Sequence, residues 1–153
     1  MQQKIVPNLW FDGDAQEAVN YYVETFPDSN ILSTEYYPET TEEGLADFQK
    51  DLAGKVLTIE FELKGQQFVA INAGPDFSFT EAVSFSVNCK DQEEIDYYWG
   101  KLSAHPENEQ CGWCKDMFGL SWQIVPENMG ELMQRPDAYA RMMEMKKLVI
   151  DEF

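Results

Sequence analysis

The sequence is poor in basic residues. Eleven Lys and Arg stand against 28 Asp and Glu in 153 residues, which gives a formal net charge of -17. Such a field repels phosphate backbones and anionic lipid surfaces, so the composition argues against nucleic-acid and membrane partners. The same field attracts cations, although an acidic surface also serves solubility alone. A cationic ligand and a merely solubilising charge therefore both stay open.

Histidine and cysteine, which supply many protein metal sites, are scarce. The one histidine, His105, is followed by a proline after a helical pattern, which predicts a loop. Three cysteines are an odd number and argue against a disulfide framework. Cys111 and Cys114 form a C-x-x-C pattern, but their neighbours resemble a strand, in which positions i and i+3 face opposite sides. We interpret them as ordinary strand cysteines and keep redox or zinc chemistry as the alternative.

Long apolar runs are also missing. No stretch approaches the roughly 20 residues that a membrane-spanning helix needs. The sequence starts Met1-Gln2-Gln3-Lys4-Ile5 and leads directly into a strand-like pattern, without an apolar leader. With 44% hydrophobic and 14% aromatic residues, it has enough apolar material for a packed interior. We expect one cytoplasmic domain over residues 1–153.

A strand–helix unit occurs twice in the chain. Tyr97-Tyr98 follows Tyr21-Tyr22 at the same offset at which Phe85 follows Leu9, and this indicates an internal repeat. Alternation and helical spacing of apolar residues predict the elements of both halves. They are strands at 5–11, 31–37, 56–63, 66–72, 83–89, 110–115 and 121–126, a further uncertain strand near 107–110, and helices that follow Asp14 and Asp91.

Two segments lie outside the repeat. Residues 38–55 are polar and acidic, with a short helical face on Leu45, Phe48 and Leu52, and form either a flap over a cleft or a solvated loop. After residue 127, Asp137 is predicted to cap a helix. Its apolar side is typical of a core or a subunit interface, with a hydrophobic ligand site as the lesser alternative, and consists of Ala138, Met142, Met145 and Val149.

The stretch from Lys115 to Pro126 contains the pattern D-x-F-G-x-x-W, a glycine turn followed by a strand. It resembles the last strand of the vicinal oxygen chelate superfamily, which includes glyoxalase I, and is most similar to the PhnB-like branch. Residues 7–11, 54–58 and 81–85 carry the same resemblance. It implies an α+β fold of two βαβββ modules, at about 4–75 and 80–126, with a C-terminal helical segment at 127–153.

The resemblance also implies a ligand cleft on the inner face of the sheets. Metal-dependent members place His or Glu there, whereas the matching positions here offer amides and hydroxyls, with Gln123 in the place of a metal-binding glutamate. Such groups bind divalent ions weakly without carboxylates, so we predict neither a metal nor a cofactor. By alternation, the expected ligand-binding residues are Asn8, Trp10, Glu60, Phe68, Asn72, Ser84, Ser86 and Gln123, and Glu60 depends on the phase of its strand.

These features favour a metal-independent protein that binds a cationic or aromatic small molecule and forms a homodimer. One alternative is a divalent-metal enzyme of the glyoxalase or dioxygenase type, with Glu60 and Glu81 as ligands after a register change. A second is the demethylubiquinone methyltransferase activity by which PhnB-like proteins are sometimes labelled, although the sequence lacks the glycine-rich strand-to-helix turn of a Rossmann-type site. A third is an interaction module with a vestigial cleft. No catalytic residue is predicted.

Overall fold

The computed structural model describes residues 3–153. Met1 and Gln2, which precede the first predicted strand, lie outside the described residues. The secondary structure comprises strands β1 (Asn8–Phe11), β2 (Ser29–Tyr36), β3 (Val56–Leu63), β4 (Gln66–Asn72), β5 (Ser84–Cys89), β6 (Trp113–Lys115) and β7 (Ser121–Pro126), and helices α1 (Ala15–Thr25), α2 (Gln92–Leu102), α3 (Met129–Leu132) and α4 (Ala138–Met143). In this part of the chain, no helix is both long enough and apolar enough to span a membrane.

The chain divides after Ser78 into two compact units, the second being Phe79–Phe153. The first unit has a four-stranded sheet in the order β1-β4-β3-β2, and the second a three-stranded sheet in the order β5-β7-β6. In each sheet the strand before the helix runs parallel to the last strand, and the other pairs are antiparallel. The predicted repetition of a βαβββ-like unit in an α+β fold is confirmed.

The second sheet has three strands because the chain turns sharply before β6. Cys111 and Gly112 adopt positive φ angles of 49° and 87°, and Gln110 and Trp113 exchange two backbone hydrogen bonds across them. Only Trp113–Lys115 remains of the strand predicted at 110–115. Pro106–Asn108, near the uncertain strand, is a 3-10 turn.

One face of each sheet is covered by the helix of its own unit. In the first unit, Ala15, Ala18, Val19 and Tyr22 are buried, as the helical spacing predicts. Burial of such side chains stabilises a fold by about 1.5–3 kcal/mol for each large apolar group. We call the covered side the helix face and the opposite side the open face.

The turn between β3 and β4 decides which side chains reach the open face of the first unit. Lys64 and Gly65 have φ angles of 49° and 88°, so a two-residue hairpin pairs Phe61 with Phe68. Their rings stack with centroids 5.3 Å apart, and Phe68 is only 4% exposed. The predicted placement of Phe68 and Asn72 on the inner face is therefore wrong. The alternation of β4 misleads because its apolar side chains lie on both faces.

Asn72 instead holds the start of α1. Its Oδ1 accepts a hydrogen bond from the Ala15 N–H at 2.9 Å, and its Nδ2 donates to the Val56 carbonyl at 3.2 Å. Asp14, the predicted cap, makes no side-chain capping bond, because the carboxamide from β4 occupies that role. In the second unit Asp91 caps α2 as predicted, accepting from the Glu94 N–H at 2.9 Å.

The acidic segment 38–55 is ordered by its ends and by two 3-10 turns. The Tyr37 N–H donates to the Lys55 carbonyl at 2.8 Å, and the 3-10 turns are Thr41–Glu43 and Asp47–Leu52. Leu45 is buried, but Phe48 is 88% exposed, so the predicted helical face shared with Phe48 is wrong. A flap role stays a prediction.

The C-terminal segment belongs to the second unit. Its helix is shorter than predicted, because α4 ends at Met143, and Asp137 has a positive φ of 60° and makes no side-chain cap. A compact apolar cluster holds the segment together and consists of Leu132, Ala138, Met145, Leu148 and Phe153. The predicted core role is confirmed for Ala138 and Met145.

Candidate functional site

Three of the predicted residues in the first unit share its open face. The register pairs Val69 with both Asn8 and Glu60, and Trp10 lies two residues along from Asn8. Glu60 is therefore in phase with them. A depression of about 70 Å³ runs beside Glu60, Val6 and Leu32, whereas pockets for drug-sized ligands measure about 300–1,000 Å³.

The same side chains are engaged in local contacts. The Trp10 Nε1–H donates to the Gly74 carbonyl at 2.8 Å, and the indole meets the Phe77 ring edge-on at 4.8 Å. Asn8 Nδ2 donates to the Val6 carbonyl at 2.9 Å. The Ser33 hydroxyl donates to a Glu60 oxygen at 3.2 Å. Ligand contact by Asn8, Trp10 and Glu60 stays a prediction.

In the second unit, Ser84, Ser86 and Gln123 share the open face, as alternation predicts. Ser86 pairs with Gln123 across β5 and β7, and Gln123 pairs with Trp113 across β6 and β7. The Gln123 Nε2–H donates to the Ser84 hydroxyl at 2.9 Å. This bond fixes the carboxamide on the sheet floor, beside the indole of Trp113.

The turn before β7 explains the D-x-F-G-x-x-W pattern. Asp116 is fully buried, and one of its oxygens accepts hydrogen bonds from the N–H groups of Phe118 and Leu120 at 2.8 and 3.1 Å. The other oxygen accepts from Trp122 Nε1–H at 2.8 Å. Gly119 has a φ of 89°, which favours glycine. The carboxylate thereby sets the start of the strand that carries Gln123.

A cleft of about 740 Å³ opens above this floor, entirely within the second unit. We call it the Gln123 cleft. Its floor comes from the sheet, its sides from residues before β6 and from the C-terminal segment. The lining residues are Glu81, Ser86, Asn108, Gln110, Cys111, Trp113, Gln123, Val125, Met129, Tyr139, Met142 and Met143.

The charge at the edge of the cleft is largely neutralised. Glu81 forms an ion pair with Lys115, whose side chain is only 21% exposed. A hydrogen bond from Lys115 is the main reason that the pKa of the Glu81 carboxyl lies below its usual value. Glu81 is therefore a carboxylate with a partner rather than an unopposed negative charge.

The C-x-x-C pair is divided between the two faces of the sheet. Cys114 is buried on the helix face, where loss of hydration raises the pKa of its thiol to about 12. Cys111 lies in the turn and lines the cleft, with its sulfur 3.5 Å from the Met143 sulfur. The interpretation as strand cysteines is therefore correct for Cys114, which lies in β6, and wrong for Cys111, which lies in the turn before it. Neither cysteine forms a disulfide.

The donor set around Gln123 does not fit a divalent metal ion. The polar atoms beside it are the hydroxyls of Ser84 and Ser86, and the carboxylate of Glu81 is paired with Lys115. Hard divalent ions are held mainly by carboxylates. Among residues 3–153, no group of three or more His, Cys, Asp and Glu side chains is placed to hold a metal.

Sequence reasoning missed much of this lining. Trp113, Tyr139 and Met143 were not among the predicted site residues, and Met142 was assigned to a core or interface. The adjacent Met142-Met143 pair shows only that two neighbouring positions of a helix point in different directions; no sequence pattern shows that these side chains line a cleft. Their position beside the sheet depends on how the segment folds back.

Most of the chain matches one protein family. The model of a family described as 3-demethylubiquinone-9 3-methyltransferase matches residues 3–125. A PhnB protein from Bacillus cereus with the same description is 34% identical, covers 80% of this chain and 99% of its own, and superposes with a TM-score of 0.62. This chain belongs to that PhnB-like family.

More distant structures share the PhnB-like fold alone. Protein PA1353 from Pseudomonas aeruginosa is 18% identical, with a TM-score of 0.55, over 82% of this chain and 98% of its own. The fosfomycin resistance protein FosX from Mesorhizobium loti is 12% identical, with a TM-score of 0.50, over 88% and 100%. No curated protein matches the chain. The family match ends at residue 125, so the C-terminal segment lies beyond it.

Proposed function

We propose that this PhnB-like protein binds a small aromatic molecule in the Gln123 cleft without a metal ion. The observation that carries the proposal is the lining, which combines three thioethers and two aromatic rings with carboxamides in one cleft of about 740 Å³. That volume falls within the range of about 300–1,000 Å³ typical of small-molecule sites. The apolar side chains supply contact area, and Gln123, Gln110 and Asn108 orient polar atoms of the ligand.

The charge distribution makes the aromatic ring the primary requirement and a positive charge the secondary one. Trp113 and Tyr139 offer ring faces, which attract both flat rings and cations. The net charge of -17 raises the local concentration of cations. Glu81, however, is already paired with Lys115, so the cleft itself contains no unopposed carboxylate that demands a cation.

The alternatives have weaker support. A divalent-metal enzyme needs carboxylate or imidazole ligands, and Gln123 stands among hydroxyls. Methyl transfer, which the family description names, would use adenosylmethionine, and its Rossmann-type site needs a glycine-rich turn after a strand. Here the strand-to-helix turns are Asp12-Gly13-Asp14 and Lys90-Asp91. Neither activity is part of our proposal.

The proposal is tested by titrating proflavine, a flat aromatic cation, and Nile red, an uncharged aromatic dye, into chelator-treated protein. We expect saturable binding of at least one dye and a large loss of affinity in Trp113→Ala. Met117→Ala, which alters an exposed side chain in the turn between β6 and β7, serves as the control and should bind like wild type. Absence of saturable binding by both dyes would contradict the proposal.

We also propose that the protein forms a homodimer in the cytoplasm. Strand β2 is an edge of its sheet, and Ile31, Leu32 and Tyr36 are 41%, 46% and 60% exposed on it. Exposed apolar side chains on an edge strand favour pairing with a second copy. Sedimentation at micromolar concentration should show a dimer, and a monomer at all concentrations would remove this part.

A further inference from the structure

The C-terminal segment, residues 127–153, contributes a whole wall of the Gln123 cleft. Met129, Tyr139, Met142 and Met143 all come from it. The family match stops at residue 125, so the residues of this wall lie outside the part of the chain that matches the family. The floor, with Gln123 and Trp113, lies within the matched part.

Backbone contacts fix the wall against the turn before β6. The N–H groups of Cys111 and Gly112 donate to the carbonyls of Met145 and Lys146, each at 2.8 Å. Leu148 packs so closely on Gly112 that an added Cβ would lie 3.0 Å from it. A glycine is needed there for this approach as well as for its φ of 87°.

A second set of contacts ties the segment to α2. Gln92 Nε2 donates to the Leu148 carbonyl at 3.0 Å, and Gln92 Oε1 accepts from the Ile150 N–H at 2.8 Å. Lys147 pairs with Asp96 at 2.8 Å. Contacts with α2 and with the turn before β6 thus hold the wall, and the lining residue Gln110 adds a hydrogen bond from its Nε2 to the Met143 carbonyl at 3.1 Å.

Within the segment, the apolar side chains fall into two groups with different surroundings. Leu132, Leu148 and Phe153 are buried and account for the packing of the segment. Tyr139 and Met143 are 64% and 43% exposed although they are large and apolar, and they line the cleft. Met142 is half-buried, lines the cleft and also packs against the buried cluster. The exposure of Tyr139 and Met143 is not explained by folding.

We propose that the C-terminal segment determines the ligand specificity of the cleft and selects flat, polarisable aromatic ligands over aliphatic ones. The inference rests on the proposed binding function. Thioether sulfurs attract aromatic rings, and methionine side chains adapt to the outline of a flat ligand. Tyr139 adds a ring face on the same side. An aliphatic ligand of equal charge gains neither the ring–ring nor the full sulfur–ring contact.

The test compares proflavine with dodecyltrimethylammonium, an aliphatic cation, by calorimetric titration. Wild type should bind proflavine more tightly. The double variant Met142→Ala/Met143→Ala should bind proflavine about tenfold more weakly, because each sulfur–aromatic contact contributes about 0.3–1.5 kcal/mol. Its affinity for the aliphatic cation should change little. Tyr139→Ala should weaken the binding of both probes, because its ring face attracts cations as well as flat rings. Met117→Ala, which alters an exposed methionine in the turn between β6 and β7, is the matched control.

Gln123→Ala separates failure of this inference from failure of the binding function. If Gln123→Ala weakens proflavine binding and the wall variants bind like Met117→Ala, the binding function stands and the specificity role is overturned. If a dimer dissociates in the wall variants while their proflavine binding is unchanged, the wall is an interface and the inference is also overturned. Saturable binding of neither probe by wild type would remove both proposals.

Discussion

At the scale of single residues, Asp116 shows how one side chain organises a local structure. Its two oxygens accept three N–H groups, from Phe118, Leu120 and the Trp122 indole. A buried carboxylate is tolerated because each oxygen has donors. The same residue closes the turn and orients the tryptophan that packs on the helix face, and so it determines where β7 begins.

Asp116→Ala should lower the free energy of unfolding by about 3 kcal/mol or more, because two buried donors and one half-buried donor lose their acceptor and each buried donor costs about 1–3 kcal/mol. Asp116→Asn should cost less, since its oxygen still accepts. Urea unfolding measures both. Asp47→Ala, at an exposed ion pair with Lys50, should change stability by less than about 1 kcal/mol. Equal losses in Asp116→Ala and Asp47→Ala would contradict this account.

The side each residue faces was only partly predictable from sequence. Gln123, Ser84 and Ser86 alternate with apolar neighbours that pack on the helix, so their face follows from the pattern. In β4, Val69 and Ile71 are apolar on the open face as well, and the pattern is ambiguous. Counting from the two-residue turn at Lys64-Gly65 would have placed Phe68 opposite Phe61 and corrected the phase.

At the scale of elements, the repeated strand–helix units were predictable and the C-terminal segment was not. Both long helices have apolar faces at helical spacing, and these faces are buried. The segment that contains the short helices α3 and α4 is held by tertiary contacts outside these helices, such as Gln92 with Ile150 and Cys111 with Met145. Contacts between distant residues leave no periodic signal, so the cleft wall could not be derived from pattern.

The tie between α2 and this segment predicts a pH dependence. The hydrogen bond from Lys147, followed by that from Gln92, lowers the pKa of Asp96 in the folded protein. The ionised carboxylate therefore stabilises the folded protein at pH values above the pKa of the unfolded state, which is about 3.9 for aspartate. This stabilisation is lost as the pH falls through the lower pKa of the folded state.

We therefore expect the free energy of unfolding at pH 6 to be higher for wild type than for Asp96→Asn by a few tenths of a kcal/mol, which is typical of exposed ion pairs. The difference should shrink below about pH 4, where the aspartate gains a proton. Urea unfolding at several pH values measures it, with Asp151→Asn as a control at an exposed position of the same segment. A difference that stays constant down to pH 2.5 would contradict the assigned role.

At the scale of the whole molecule, the two units repeat one plan but differ on their open faces. In the first, Trp10 and Asn8 are engaged locally, and the depression beside Glu60 measures about 70 Å³. In the second, Gln123 and Trp113 form the floor of a cleft of about 740 Å³. We therefore propose that the ligand binds in the second unit.

The most direct measurement is a proflavine titration of chelator-treated protein, repeated after addition of Ni, Mn, Fe(II), Zn, Mg or Ca ions, with Gln123→Ala in parallel. The account predicts saturable binding whose affinity is unchanged by each ion and is weakened by Gln123→Ala. Binding that appears only with one ion, or that is unaffected by Gln123→Ala, would contradict a metal-independent site in the Gln123 cleft.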